Sequence, residues 1–89
     1  MAWQIHLEKA AQKDLEQLDP PSARRLLTFL QQRVSVLDDP RSIGQPLVGP
    51  RFGELWKYRV GAFRILARIE DDAIRILVVR IGHRREVYR

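Results

Sequence analysis

Apolar residues recur along this chain at changing spacings, and each spacing predicts a different element. Residues 2–7 alternate around Trp3 and Ile5, the pattern of a short strand. Leu7, Ala11, Leu15 and Leu18 then fall four, four and three residues apart, which predicts a helix over residues 8–18 with one apolar face. Asp19-Pro20-Pro21 ends it, because proline disfavours helical geometry in the residue before it. With Ser22 as N-cap, Ala23, Leu26, Leu27, Leu30, Val34 and Leu37 trace a second apolar stripe to about Asp38, making a helical hairpin.

Residues 39–53 hold three prolines and three glycines and no sustained period, so they read as a connecting loop. From Leu55 the period becomes two. Leu55-Trp56-Lys57-Tyr58-Arg59-Val60 and Phe63-Arg64-Ile65-Leu66-Ala67-Arg68-Ile69 both alternate, with Gly61-Ala62 placed for a tight turn. Glu70-Asp71-Asp72 is a second turn, followed by a strand from Ala73 to Ile81 rich in Ile and Val. The expected fold is α+β: one domain over residues 1–89, with an N-terminal strand and a two-helix hairpin packed on one face of an antiparallel sheet. That sheet ends in a three-stranded meander.

Alternation assigns side chains to faces. Phe63, Ile65, Ala67 and Ile69 point under the helices, which leaves Arg64, Leu66 and Arg68 on the helix-free face. Lys57 and Arg59 share one face of the preceding strand. Trp56 and Tyr58 share the other and are expected in the core, since large aromatics dominate small cores.

Charge sharpens this picture. Residues 1–50 carry six basic and six acidic residues, whereas residues 51–89 carry Lys57 and nine arginines against five acids, so the whole net charge of +5 lies in the second half. Arginine in preference to lysine suits bidentate grip on phosphate and stacking on bases, which points to a polyanion with exposed bases. There is no cysteine, which excludes disulfides, thiolate metal sites and a thiol nucleophile. His6 and His83 lie far apart without carboxylates at ligand-like spacing, so no metal or other cofactor is expected. No apolar run approaches the length of a bilayer span and the N-terminus lacks the pattern of a secretory signal, which makes the cytoplasm the expected location and a membrane partner unexpected.

After Gly82 the chain runs His83-Arg84-Arg85-Glu86-Val87-Tyr88-Arg89. This block, together with Leu55-Trp56-Lys57-Tyr58-Arg59-Val60-Gly61-Ala62-Phe63-Arg64-Ile65-Leu66 and the order strand, helix, helix, Pro/Gly loop, meander, resembles the RelE-type mRNA interferases of the RelE/ParE toxin superfamily along essentially the whole length. The resemblance implies a microbial RNase-like fold and ribosome-dependent, metal-free cleavage of mRNA in the A site. It also implies control by a RelB-like antitoxin, with operator DNA bound through that antitoxin. Carried over residue by residue, Arg64 matches the strand arginine at the scissile phosphate and Arg84 the arginine after the last strand. Lys57 and Arg59 match the basic positions of the preceding strand, and Tyr88 the C-terminal tyrosine. Leu55 stands where other members have a further basic residue.

Such cleavage uses the neighbouring 2′-hydroxyl as nucleophile, so the protein must remove its proton, stabilise the charged phosphorane and protonate the leaving oxygen. Arginine stays charged and serves only the second task. Arg64 and Arg84 are thus the expected phosphate clamps. Tyr88, Lys57 and His83 are the candidates for proton transfer; neighbouring cations would favour the phenolate of Tyr88, and histidine is a common general acid and base. Arg59, Arg68, Arg80, Arg85 and Arg89 are expected to contact RNA or the ribosome. The main alternative is a ParE-like toxin that binds and inhibits DNA gyrase without nuclease chemistry. A plain nucleic-acid-binding repressor subunit fits the charge and leaves the terminal cluster without a role.

Overall fold

The computed structural model describes residues 2–49 and 53–83. Strand β1 (Gln4–Leu7) leads into helix α1 (Lys9–Glu16), whose buried Ala11 and Leu15 are the positions the sequence pattern singles out. Helix α2 (Pro20–Phe29) begins earlier than expected. Its cap is Asp19, whose carboxylate accepts from the Ser22 backbone N–H at 3.2 Å, and not Ser22 itself. The two prolines fill the first two helical positions, where a missing N–H costs nothing and a fixed φ favours the helix. Hydrogen bonding from the Ser22 side chain, and then from its backbone N–H, holds the Asp19 carboxyl below its ordinary pKa.

The helix then widens into a π-helical turn, Leu30–Val34, closed by the Ser35 N–H donating to the Leu30 carbonyl at 2.9 Å. The Pro/Gly loop is not structureless. It forms a 3-10 turn (Pro40–Ile43) and a two-residue strand β2 (Gln45–Pro46), which pairs antiparallel with Lys57 and Trp56; proline is tolerated there because β2 is an edge.

Strands β3 (Leu55–Val60), β4 (Phe63–Glu70) and β5 (Arg75–His83) form the expected meander. Gly61 takes φ +60° while Ala62 keeps a negative φ, so the hairpin between β3 and β4 closes on a two-residue turn that only glycine suits at its first position. The sheet order is β1-β5-β4-β3-β2. It is mixed and not purely antiparallel, because β1 runs parallel to β5. The helical hairpin carries the chain from one sheet edge to the other, and the third strand of the meander returns beside β1 pointing the same way.

A bulge interrupts the β4–β5 ladder: Leu66 pairs with Arg80 and Ala67 with Val78, leaving Val79 as the extra residue. One residue inserted into a strand reverses the facing of everything beyond it. Ile76 and Val78 before the bulge and Ile81 after it therefore all enter the core. There they meet Ala11, Leu15, Leu26, Leu30 and Val34 from the helices and Tyr58, Val60, Ile65 and Ala67 from the sheet. Tyr58 is fully buried, with Phe29 edge-on to its ring at 6.2 Å and its hydroxyl donating to the Pro40 carbonyl at 2.7 Å. Burial pushes its pKa up to about 12. Trp56 is half-buried beneath the Arg41 guanidinium, 5.8 Å from the ring centroid. Both aromatics are thus structural.

Candidate functional site

The helices occupy one face of the sheet, so the register of β3, β4 and β5 decides what the other face presents. Arg59, Arg64 and Gly82 form one cross-strand row, and Lys57, Leu66 and Arg80 form the next. Arg68 lies in a third row between Leu55 and Leu77, and Leu77 in turn pairs with His6 of β1. Directly opposite residues sit about 5 Å apart at Cβ, so the basic side chains of adjacent strands belong to one surface.

Individual side chains depart from a uniform arginine face. Arg64 is 5% exposed and Leu66 is 4% exposed, whereas Arg59 and Arg68 are exposed and Lys57 is half-buried. Arg64 thus lies on the helix-free face, as its alternation predicts, and is buried there. Its Nη1 donates to the Gly61 carbonyl at 3.0 Å and to the Phe63 carbonyl at 2.8 Å, because an arginine one residue into a strand reaches the carbonyls of the turn just made. Both bonds come from one nitrogen, which fixes the planar guanidinium; the three N–H donors of Nε and Nη2 have no hydrogen-bond partner among the described residues.

Arg80 stands in the central row, but its side chain leans over the sheet edge to α1. Its Nε and Nη2 donate to Asp14 at 2.9 and 3.3 Å, and this pairing raises the arginine's pKa. His83 does not join Arg64. The bulge turns it to the other face, where its ring lies 4.7 Å from that of Phe63 and lines a groove with Asp14, Gln17 and Leu18 of the first helical segment. Arg84, Arg85, Tyr88 and Arg89 lie outside the described residues.

Two charged contacts frame the far end of the sheet. The Arg75 guanidinium, helped by Arg68 and His6, holds the Glu70 carboxyl below its ordinary pKa. Arg41 binds Asp71 through two hydrogen bonds of 2.6 and 3.1 Å, which lowers the pKa of Asp71 and ties the 3-10 turn of the loop to the β4–β5 connection. Sequence reasoning missed Arg41, since nothing local pairs residues 30 apart.

Two helices packed on one face of a mixed five-stranded sheet are the architecture of the RelE-like toxins. Residues 5–88 match the family described as the ParE toxin of type II toxin-antitoxin system, parDE, and the chain belongs to it. Toxin RelG of Mycobacterium tuberculosis (strain ATCC 25618 / H37Rv) is 28% identical over 89 residues, covering 100% of this chain and 99% of that protein. Among solved structures, the toxin-antitoxin complex RelBE2 of Mycobacterium tuberculosis contains a chain with TM-score 0.84 and 26% identity, matching 94% of this chain and 93% of that one. A mutant E. coli RelE in the free state has TM-score 0.76 and 24% identity, over 99% of this chain and 92% of that one, and bears on the fold alone.

Proposed function

We propose that this toxin is a ribosome-dependent endoribonuclease that cleaves mRNA in the A site by metal-free attack of the 2′-hydroxyl. The observation that carries the reading is the row Arg59–Arg64–Gly82 with Lys57 one row away, on the sheet face the helices leave uncovered. In the reaction the 2′-oxygen bonds to phosphorus and the bond from phosphorus to the 5′-oxygen breaks, leaving a 2′,3′-cyclic phosphate and a 5′-hydroxyl. Arg64, anchored through Nη1, directs its remaining N–H groups at the developing charge, and Arg84 completes the clamp. Lys57 and Tyr88 are the groups for proton transfer, since His83 faces the other way. Arg59, Arg68, Arg85 and Arg89 supply phosphate contacts, joined by the Nη1 of Arg80 that Asp14 does not engage.

Two arginines and a lysine form a weak catalyst unless the RNA is held in line, so the ribosome acts as the positioning device. The reaction takes place in the cytoplasm. A RelB-like antitoxin silences the protein by covering the basic surface, and the complex binds operator DNA through the antitoxin. The structure of the RelBE2 pair supports an antitoxin as partner, being a toxin-antitoxin complex of a chain similar over nearly its whole length.

A second reading, a toxin that binds and inhibits DNA gyrase without nuclease chemistry, draws on the matched family, which is described as the ParE toxin of type II toxin-antitoxin system, parDE. Translating ribosomes incubated with the purified protein, with mRNA ends mapped, separate the two. Cuts within A-site codons are expected. Intact mRNA together with inhibited gyrase supercoiling would establish the gyrase reading instead.

A further inference from the structure

We infer that the groove between α2 and the tip of the β3–β4 hairpin is a second phosphate-binding site, one that grips an RNA backbone. The groove encloses about 510 Å³ and is lined by Arg25, Phe29 and Arg33 on the helical side and Arg59, Val60 and Gly61 on the strand side. Its only charged lining residues are the three arginines, and among the described residues none of them has an ion pair. Three guanidinium groups around one concavity repel each other, and an anion seated among them removes that cost.

The helix is built to place them there. Residues 20–37 contain Arg24, Arg25 and Arg33 and no acidic residue, so the segment has local charge that nothing within it neutralises. Arg25 and Arg33 are eight residues apart, a little more than two turns at 3.6 residues per turn. The π-helical turn at Leu30–Val34 takes more residues per turn and so brings the two arginines closer to one line, facing the groove.

The hairpin tip explains why the occupant is a phosphate backbone and not an added peptide strand. Beyond Lys57 the outer edge of β3 pairs with no strand among the described residues, which by itself invites strand addition. The Arg25 guanidinium stands at the end of that edge, against the turn, however: a Cβ built on Gly61 would stand 3.1 Å from its Nη1 and 3.2 Å from its Nη2. An incoming strand would have to displace it, whereas a phosphate oxygen meets it directly. Gly61 is thereby held between two arginines, with Arg25 against its α-carbon and Arg64 on its carbonyl. Phosphates at the groove and at the helix-free face would thus be bound on either side of one turn, and the site steadies the RNA that the face engages. The inference takes from the nuclease reading only that the protein meets RNA.

The test is a titration of the full chain with a fluorescein-labelled RNA duplex of 16 base pairs at several salt concentrations, comparing wild type, Arg25→Ala/Arg33→Ala and Arg24→Ala. All three positions are exposed, and circular dichroism confirms that each variant folds. The double variant should lose on the order of tenfold in affinity, and its salt slope should fall by nearly one for each phosphate contact removed. Arg24→Ala should match wild type. An unchanged salt slope in the double variant overturns the site. So does a double variant that keeps its affinity for duplex and fails to copurify with coexpressed antitoxin, because the groove is then a peptide site. Failure of wild type to cut mRNA on ribosomes removes the nuclease reading and leaves the duplex titration to be judged by itself.

Discussion

Asp14 on α1 accepts two hydrogen bonds of 2.9 Å from β5, one from the Arg80 guanidinium and one from the Ile81 backbone N–H. The second bond matters structurally because β1 pairs with β5 only as far as Val78, and beyond that point the edge of β5 has no neighbouring strand among the described residues. A helical carboxylate takes its place. Asp14→Ala should therefore cost about 1–3 kcal/mol, the penalty of a half-buried N–H left without a partner. Arg80→Ala removes only an ion pair whose arginine side chain is 46% exposed, which contributes less than about 1 kcal/mol. Urea denaturation of the two variants checks the order, and equal losses would show that the ion pair and not the backbone bond anchors α1.

Tyr58 couples the loop to the core. Tyr58→Phe leaves the Pro40 carbonyl without its donor and should cost about 1–2 kcal/mol at neutral pH. The folded pKa of about 12 lies above the unfolded value, so the buried phenol's contribution is complete below pH ~10 and is lost as pH rises through 12. The stability gap between wild type and variant should accordingly narrow between those two values. A gap that stays constant to pH 12 would mean the hydroxyl ionises as freely as in the unfolded chain.

Arg64→Ala should lower the rate of mRNA cleavage on ribosomes by on the order of hundredfold or more, as removal of one transition-state donor does. It should also lower the melting temperature, since Arg64 fastens the Gly61 and Phe63 carbonyls of the hairpin. Arg24→Ala, on the exposed side of α2, should change neither. A catalytic loss in Arg64→Ala that Arg64→Lys fully restores would reduce the guanidinium to a simple charge.

The proton-transfer assignment is tested by Tyr88→Phe beside His83→Gln. Tyr88→Phe keeps the ring and removes the hydroxyl, so binding should survive while single-turnover cleavage slows markedly. His83→Gln should retain a rate within a few-fold of wild type, because its ring stacks on Phe63 away from Arg64. The opposite ranking would move the role to His83 and require the end of β5 to rearrange on the ribosome.

Much of this architecture is legible in the chain because it follows from short-range periodicity. The three- and four-residue spacing of Leu7, Ala11, Leu15 and Leu18 specifies a helix face, and alternation from Leu55 to Ile69 specifies which side chains of the meander share a surface. Size and apolarity alone are enough to send Tyr58 to the core. The helix-free location of Lys57, Arg59 and Arg64 follows from the same alternation, as does the concentration of positive charge after residue 50.

What the pattern left open depends on partners distant in sequence. The parallel pairing of β1 with β5 requires knowing where the helical hairpin returns the chain, and the strand inside the Pro/Gly loop exists only because the edge of β3 offers Lys57 and Trp56 as partners. The facing of His83 turns on one unpaired residue, Val79, which no periodicity marks beforehand; the bulge inverts the parity of β5 just before its end. The arginines of α2 were hidden for another reason. Averaged over the first half of the chain, their charge is cancelled by acids in residues 8–19 and 38–39, and only folding separates those acids from the groove where Arg25 and Arg33 meet Arg59. Composition sums charge along the chain, whereas electrostatic energy depends on distance in space, and the tertiary structure alone sets those distances.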